Sequence, residues 1–259
     1  ASKRSRLRFV TSLLRLCEKL GLDGVDYNWE YPGYSFGSGY AADEAVAADY
    51  RGLMALLKET KAAFEPSRRI LTLAYYPDGK QEKMLAKGKA ASYVDAMHMM
   101  TYDQQGKHST MELAQSSAEG GARVLPPEKL TLGLPFYGRH MRTGEWKSYE
   151  DLLKMPAVQA QRDLDEVDGW YLNSVDLIRR KTALAVQLGL RGVMIWEAGQ
   201  DCRVHGVVRG NTEHVATCGA GGQEASLLQA IASASPAVAE GGEDEERAPP
   251  AQAIPHDEV

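Results

Sequence analysis

The sequence lacks the features that mark membrane-spanning, nucleotide-binding and nucleic-acid-binding proteins. No apolar run approaches the roughly 20 residues that a membrane-spanning helix needs. No strand-like segment is followed by a glycine-rich phosphate loop, so nucleotide binding is not expected. A formal net charge of -5 over 259 residues gives no reason to expect nucleic acid or a membrane surface as a partner. With 44% apolar and 25% charged residues, the composition is that of an ordinary globular protein.

Cysteine is scarce, with three residues in the chain. Cys17 falls on the apolar face of a predicted helix, which favours a buried thiol. Cys202 and Cys218 lie on either side of a polar segment that contains glycine, and a disulfide between them is slightly favoured over two free thiols. Such a bond forms in oxidising compartments, so we predict an extracellular or secretory-pathway protein.

Short apolar segments alternate with longer amphipathic ones, and this alternation predicts an α/β fold built of parallel βαβ units. The strand-like segments are residues 22–30, 70–76, 94–101, 130–135 and 191–196. The helix-like segments are residues 7–20, 46–64, 82–91, 111–120 and 174–188. Residues 139–168, between the strand-like segment 130–135 and the helix-like segment 174–188, look irregular, with short helical pieces. Each strand-like segment leads into polar or aromatic residues, and active sites gather at the carboxyl ends of barrel strands.

The organisation along the chain predicts one folded domain, residues 1–235, followed by a disordered tail, residues 236–259. The tail is rich in proline, alanine, glycine and acidic residues. A segment of this composition cannot bury enough apolar surface to fold.

The segment around Asp26, Asn28 and Glu30 is the most informative part of the sequence. Alternate side chains of a strand face the same way, so these three polar groups share one face. Turning them inward costs desolvation and repulsion that packing does not repay. The pattern therefore indicates acid–base catalysis, for which carboxyl groups in unusual surroundings are suited.

Two other interpretations of this segment are less favourable. A row of polar residues on a solvated strand is the first, and it is disfavoured because Val25, Tyr27 and Trp29 are large enough to occupy an opposite, helix-covered face. A calcium loop is the second. It is excluded because the positions that need Gly and Glu hold Tyr31 and Gly37.

The acidic segment resembles a known family signature. Asp23, Asp26, Asn28 and Glu30, followed by Tyr31-Pro32, resemble the DxxDxDxE signature of family 18 glycoside hydrolases, the chitinases and their relatives. Three further segments resemble motifs of that family in the same order, namely Met100-Thr101-Tyr102-Asp103, Leu132-Gly133-Leu134-Pro135-Phe136-Tyr137-Gly138-Arg139 and Gly192-Val193-Met194-Ile195-Trp196-Glu197. The resemblance covers residues 7–231 and implies a (β/α)8 TIM barrel. Only about the last five βα units are expected in this chain, with the first three strands missing.

The resemblance also implies a mechanism and a set of site residues. Glu30 would act as general acid and then as base in a substrate-assisted, retaining hydrolysis of β-1,4-linked N-acetylglucosamine. Asp26 would hold residue 28, which is Asn28 here and an acid in the family signature. Tyr102 and Asp103 would bind the acetamido group of the sugar. Further substrate contacts are implied at Asp23, Tyr31, Met100, Tyr137, Arg139 and Trp196. This chemistry needs no metal or cofactor, and the implied partner is chitin or another N-acetylglucosamine-containing glycan, bound by a protein that is monomeric when complete.

Several alternatives stay open. Tyr102 with Asp103 fits an ordinary strand end, Arg139 fits a surface charge, and Trp196 fits a core position. Trp170 fits packing better than sugar binding. For the whole chain, one alternative is a chitinase-like lectin that binds chitin without efficient hydrolysis, and another is an endo-β-N-acetylglucosaminidase acting on N-glycans. An acid at position 30 favours the enzyme over the lectin.

Overall fold

Strands and helices alternate along the chain in the computed structural model, which describes residues 2–161, 163–209 and 212–235. The helices are α1 (Lys3–Leu20), α2 (Asp43–Phe64), α3 (Lys80–Lys87), α4 (Met111–Ala122), α5 (Tyr149–Leu153), α6 (Pro156–Ala160), α7 (Val175–Gln187) and α8 (Leu227–Ala234). The strands are β1 (Gly24–Tyr27), β2 (Tyr34–Ser35), β3 (Gly39–Tyr40), β4 (Ile70–Tyr75), β5 (Ala96–Met99), β6 (Leu130–Pro135), β7 (Tyr137–His140), β8 (Trp146–Ser148), β9 (Glu166–Val167), β10 (Trp170–Tyr171), β11 (Gly192–Trp196), β12 (Val207–Arg209) and β13 (Thr212–His214). The predicted tail, residues 236–259, lies outside the described residues.

A five-stranded parallel sheet forms the centre of the fold, in the order β1-β4-β5-β6-β11. The prediction of five strands in parallel βαβ units is confirmed. In the part of the chain that the structure describes, the sheet is open and has β1 and β11 as its edges. Because all five strands run the same way, their carboxyl ends meet along one edge of the sheet, and this edge carries the candidate site.

Polar side chains begin several of the helices. Ser2 caps α1 by accepting a hydrogen bond from the backbone N–H of Ser5, so this helix begins earlier than the predicted residue 7. Thr110 accepts from the N–H of Leu113 at the start of α4. Ser174 caps α7 in the same way, and α7 packs against β6 and β11.

The first strand is shorter than predicted, and this changes the surroundings of three residues. Its pairing with β4 ends at Tyr27, and the chain then leaves the sheet for the β2–β3 hairpin. The prediction of a strand over residues 22–30 is therefore wrong at its carboxyl end. Trp29 was expected on the helix-covered face and is 40% exposed instead, because the alternation of faces holds only within a paired strand. Asn28 and Glu30 lie beyond the strand, at the edge where the site forms.

Residues 139–168 are more regular than the sequence indicates. Four short strands form an antiparallel sheet in the order β8-β7-β10-β9, and α5 and α6 are the predicted short helical pieces. Strands of two to four residues are too short to show a period of two, so the pattern could not predict this sheet.

Two large clusters of buried side chains pack the helices against the sheets. The larger cluster joins the helices to β4 and β5, and it includes Cys17, whose predicted burial is confirmed. The second cluster lies between the antiparallel sheet, α7 and α8, and Trp170 packs in it. Cys202 and Cys218 are also members of that cluster, and they form the predicted disulfide with an Sγ–Sγ distance of 2.07 Å.

Two further observations concern the described residues alone. No helix among them is both long and apolar enough to cross a membrane. No three histidine, cysteine, aspartate or glutamate side chains within that part of the chain are grouped as a metal site would need.

Candidate active site

Two adjoining clefts open at the carboxyl edge of the parallel sheet. The first has a volume of about 180 Å³ and is lined by Asn28, Glu30, Tyr31, Tyr76, Met100, Tyr102, Asp103 and Trp196. The second has a volume of about 210 Å³ and is lined by Asp103, Tyr137, Arg139, Trp146, Trp196 and Gln200. Asp103 and Trp196 belong to both, so the clefts form one continuous surface. The fold thus brings together nine of the eleven residues that the sequence predicts for catalysis or substrate binding.

Asp103 is held from two sides in an unusual backbone conformation. Its φ of 66° lies in the left-handed region, which non-glycine residues seldom occupy. The hydroxyl of Tyr137 and Nη1 of Arg139 each donate a 2.8 Å hydrogen bond to Oδ1 of its carboxylate. Nε and Nη2 of Arg139 also donate to the carbonyl oxygen of Gly144. Arg139 is therefore fixed on both sides of its guanidinium and holds the carboxylate of Asp103 in place. It is more than a surface charge.

Tyr102 is packed deep in the first cleft. Its ring fits there because residue 133 is glycine: a Cβ at Gly133 would lie 3.0 Å from the ring and 2.3 Å from the carbonyl oxygen of Met99. The hydroxyl of Tyr102 lies 3.8 Å from Sδ of Met194. Burial, and then the negative charges of Asp103 and Glu30, raises the pKa of Tyr102 above its ordinary value, so the phenol stays protonated and able to donate a hydrogen bond.

The same cause keeps two neighbouring phenols protonated. Burial, followed by the charge of Glu30, raises the pKa of Tyr31. Burial, followed by the charge of Asp103, raises the pKa of Tyr137. The clefts therefore combine carboxylates with hydroxyl donors, which is a surface suited to a polar, uncharged ligand.

Asp26 lies on β1 and joins a polar row across the inner face of the sheet. Oδ1 of Asp26 accepts a 2.6 Å hydrogen bond from Oγ1 of Thr72 on β4 and lies 3.7 Å from Nε2 of His98 on β5. Nδ1 of His98 is 2.7 Å from Oγ1 of Thr131 on β6. Burial lowers the pKa of His98 and the charge of Asp26 opposes this effect, so the imidazole is neutral near pH 7.

Asp23 is the one predicted site residue that lies at the wrong end of the sheet. It precedes β1, and its carbonyl oxygen accepts from the backbone N–H of Ile70 at the start of β4. The site lies at the opposite, carboxyl ends of these strands, so Asp23 does not line either cleft. Its role in substrate binding stays a prediction that this geometry does not favour.

An aromatic cluster beside Glu30 was missed in the sequence. The ring of Tyr31 lies 5.8 Å from those of Tyr34 and Tyr76 and 5.9 Å from that of Phe36, which is 71% exposed. Tyr34 belongs to the β2–β3 hairpin, and Phe36 is in its turn. Aromatic residues separated by glycine and serine in residues 31–40 were the available signal for this hairpin.

The sequence also did not predict Trp146 and Gln200 as residues of the site. Trp146 lies opposite Arg139 in the register of β7 and β8, which puts both side chains on one face of the antiparallel sheet. Its exposed fraction is 59%, and that of Trp196 is 49%, so both indoles are open to a ligand. The alternative that Trp196 is a core residue is wrong.

Several known proteins are similar to this chain in sequence. Among curated proteins, the chain is 29% identical over 157 residues to Probable chitinase 2 of Drosophila melanogaster, an alignment that covers 53% of the chain and 30% of that protein. It is 29% identical over 163 residues to Chitotriosidase-1 of Mus musculus, covering 54% of the chain and 34% of the relative. To Endochitinase 1 of Metarhizium robertsii it is 23% identical over 250 residues, covering 76% and 56%. The chain thus spans between about a third and just over half of the length of these relatives.

Solved structures share the fold. The GH18 chitinase ChiB from the chitin utilization locus of Flavobacterium johnsoniae matches with a TM-score of 0.64 and 24% identity, over 88% of this chain and 64% of that one. The Group II chitinase catalytic domain 2 of Ostrinia furnacalis matches with a TM-score of 0.66 and 20% identity, over 90% and 71%. The α/β architecture of this chain is therefore that of the TIM-barrel-like chitinase structures.

A family model decides the assignment. The model described as Glycosyl hydrolases family 18 matches residues 1–201, a range that contains both clefts and all of the residues that line them. The chain belongs to family 18 of the glycosyl hydrolases.

Proposed function

We propose that the chain hydrolyses β-1,4-linked N-acetylglucosamine, as in chitin and its oligosaccharides, with Glu30 as general acid and base. The observation that carries the proposal is the meeting of Glu30, Tyr102 and Asp103 in one cleft with the exposed indole of Trp196. These groups lie at the carboxyl ends of three different strands, and an acid, hydroxyl donors and an aromatic platform are what a sugar with an amide substituent requires. A mutant of the Ostrinia furnacalis domain has been solved in complex with penta-N-acetylchitooctaose, which supports a substrate of this class.

The reaction proceeds in two steps and uses the acetamido group of the substrate as nucleophile. In the first step, Glu30 donates its proton to the glycosidic oxygen as the bond from that oxygen to the anomeric carbon breaks. The acetamido carbonyl oxygen bonds to the anomeric carbon and forms an oxazolinium ion. In the second step, ionised Glu30 takes a proton from water, the water oxygen attacks the anomeric carbon, and the ring opens with retention of configuration.

The neighbouring residues orient the acetamido group. The protonated phenol of Tyr102 donates to its carbonyl oxygen, and the carboxylate of Asp103 accepts from its N–H. Tyr137 and Arg139 hold that carboxylate, and the indole of Trp196 stacks beneath the sugar. The nucleophile is part of the substrate, so its orientation in the cleft sets the rate of the first step.

Two other functions compete with this proposal. Asn28 stands where the family signature has an acid, which favours a weak enzyme or a lectin that binds chitin with little turnover. An endo-β-N-acetylglucosaminidase acting on N-glycans would use the same chemistry on a different oligosaccharide. We further propose that the protein works outside the cell, since the disulfide between Cys202 and Cys218 forms in oxidising compartments.

The test compares Glu30→Gln with the unchanged chain on a chitotriose substrate that carries a chromogenic leaving group. Gln keeps the shape of the side chain and lacks the titratable proton, so turnover should fall about 10³-fold. Binding of the oligosaccharide, followed by tryptophan fluorescence, should change by less than about twofold. Glu18→Gln on the exposed face of α1 is the matched control.

Each outcome of this experiment selects one function. Turnover that survives Glu30→Gln would overturn the assignment of the acid. Oligosaccharide binding by the unchanged chain without turnover would select the lectin. Release of an N-glycan from a glycopeptide, with no cleavage of chitotriose, would select the endo-glycosidase.

A further inference from the structure

A lysine side chain is fully buried beneath the candidate site. Lys181 lies on α7, and none of its surface is exposed. Its Nζ donates three hydrogen bonds, of 2.8 Å to the carbonyl oxygen of Ser109, 2.8 Å to Oγ of Ser109 and 2.7 Å to Oδ1 of Asn173. All three acceptors are uncharged. The ammonium group therefore has its full set of hydrogen bonds, but these acceptors do not neutralise its charge.

These hydrogen bonds continue into the loop that carries two of the proposed site residues. Oγ of Ser109 donates a 2.9 Å hydrogen bond to the carbonyl oxygen of Thr101, and Nδ2 of Asn173 donates to the carbonyl oxygen of Ser109. The hydroxyl of Ser109 thus joins the two ends of the loop, residues 101 and 109, and the ammonium group of Lys181 ties Ser109 to α7 and to Asn173. Thr101 and Ser109 are themselves fully buried.

The loop between these ends needs external support. It contains Tyr102 and Asp103, and the left-handed backbone of Asp103 is a conformation that surrounding contacts must maintain. Within the loop, one backbone hydrogen bond of 3.2 Å runs from the N–H of Gln104 to the carbonyl oxygen of His108. This internal bond reaches neither end of the loop: Oγ1 of Thr101 donates to the carbonyl oxygen of Gly133 at one end, and Lys181 holds Ser109 at the other.

Packing alone does not explain a lysine at this place. Burying an ammonium group without a carboxylate bonded to it is unfavourable, because hydrogen bonds to uncharged acceptors only partly offset its desolvation. The ammonium group supplies three donors that converge on two segments, and an apolar side chain supplies none. Its effect is therefore on the geometry of the loop rather than on the core.

We propose that Lys181 is a positioning residue for the candidate site, and that its ammonium group holds residues 101–110 closed so that Tyr102 and Asp103 keep their places. The proposal deepens the proposed hydrolysis and rests on it for its effect on the rate. Its structural part concerns the loop alone, so it is tested separately from the hydrolysis.

The experiment uses Lys181→Met, which keeps the length of the side chain and lacks its donors. Lys129→Met is the matched control, because Nζ of Lys129 also donates to two carbonyl oxygens, those of Ala91 and Val94, at the opposite end of the sheet. Below about pH 7, where Lys181 carries its proton, hydrogen exchange of the full chain should be about tenfold faster at amides of residues 101–110 in Lys181→Met and unchanged there in Lys129→Met. On the chitotriose substrate, kcat should fall about tenfold and KM should change by less than about twofold.

The outcomes separate the two proposals. An unchanged exchange rate at residues 101–110 in a folded Lys181→Met protein would overturn the role of Lys181, whether or not the chain is active. Faster exchange together with an inactive unchanged chain would support the loop contact and overturn the proposed hydrolysis. Faster exchange with an unchanged kcat would overturn the positioning role.

Ser109→Ala tests the same contact if Lys181→Met does not fold. This change removes one acceptor of Lys181 and the donor to Thr101, and it leaves a small cavity instead of a missing ammonium. The same local increase in exchange is expected. Its absence in Ser109→Ala would overturn the proposal.

Discussion

The hydroxyl of Thr72 donates a 2.6 Å hydrogen bond to Oδ1 of Asp26, and the two residues are register partners on β4 and β1. His98 approaches the same oxygen from β5 at 3.7 Å. The carboxylate of Asp26 is therefore oriented by the sheet below the clefts, and it is not itself one of the groups that line them. Its proposed role is to hold Asn28, and we expect the contact with Thr72 to affect how well it does so.

Thr72→Val should lower kcat about tenfold with little change in KM, since Val keeps the shape of Thr and lacks the donor. Steady-state kinetics on the chitotriose substrate measure both constants. Thr11→Val on α1, where the hydroxyl only returns to the carbonyl oxygen of Leu7, is the control. An unchanged kcat in Thr72→Val would mean that the orientation of Asp26 does not matter to the reaction.

Asn28→Asp should raise kcat about tenfold near neutral pH. A carboxylate at this position faces the positive charge that develops in the oxazolinium ion, and a fixed opposite charge of this kind stabilises the transition state. Asn28→Leu, which has neither a charge nor a polar group, should lower kcat. If Asn28→Asp were slower than the unchanged chain, the amide would be the better partner of Asp26 and the electrostatic interpretation would be wrong.

Trp146→Ala should weaken binding of long oligosaccharides and leave short ones unaffected. The indole of Trp146 lines the second cleft, so only a chain that extends past Asp103 reaches it. We expect the Kd of a chitohexaose to rise about tenfold, which corresponds to about 1.4 kcal/mol, while that of a chitobiose stays the same. The comparison uses titration calorimetry with both sugars. Leu228→Ala, an exposed apolar residue of α8, is the control, and an equal loss for both sugars would contradict the extended path.

The sequence allowed the parallel sheet and most of the site to be predicted for a physical reason. Buried parallel strands leave long apolar runs, and the polar or aromatic residues at their ends, such as Glu30, Asp103 and Trp196, stand out against them. Trp146 gave no such signal, because it lies on a three-residue strand of an antiparallel sheet. Its position depends on the pairing with Arg139, which is a contact between distant segments and not a local pattern.

Lys181 shows a second limit of prediction from sequence. On a helix its charge predicts a solvated face, yet α4 and α8 pack over α7 and bury it. Its partners Ser109 and Asn173 come from two other segments, so the contact exists only once the fold is complete. Residues of this kind are visible only in a structure.

The free energy of unfolding should rise as the pH increases above about 7, because Lys181 loses its proton at a lower pH in the folded state than in the unfolded state. Burial lowers the pKa of Lys181 from 10.5 to about 7, and the carboxylates of Asp165 and Glu112 oppose this effect without cancelling it. Of the elements against α7, α4 contributes Glu112, whereas α8, β6 and β11 contribute no titratable side chain. Below about pH 7 the lysine is charged in both the folded and unfolded states, and the penalty for burying the charge is present in full. Between pH 7 and 10.5 the unfolded state binds more protons than the folded state, so this penalty is lost as pH rises.

The increase is on the order of 1 kcal/mol for each pH unit in that window. Urea unfolding between about pH 7 and pH 9 measures it, and the unfolding free energy of Lys181→Met should rise less with pH than that of the unchanged chain. All other titrating groups are common to both proteins, so the difference between the two slopes reports Lys181 alone. Lys129→Met should keep the slope of the unchanged chain. Equal slopes for the unchanged chain and Lys181→Met would mean that the lysine stays charged throughout, and that the three hydrogen bonds of its ammonium group outweigh its burial.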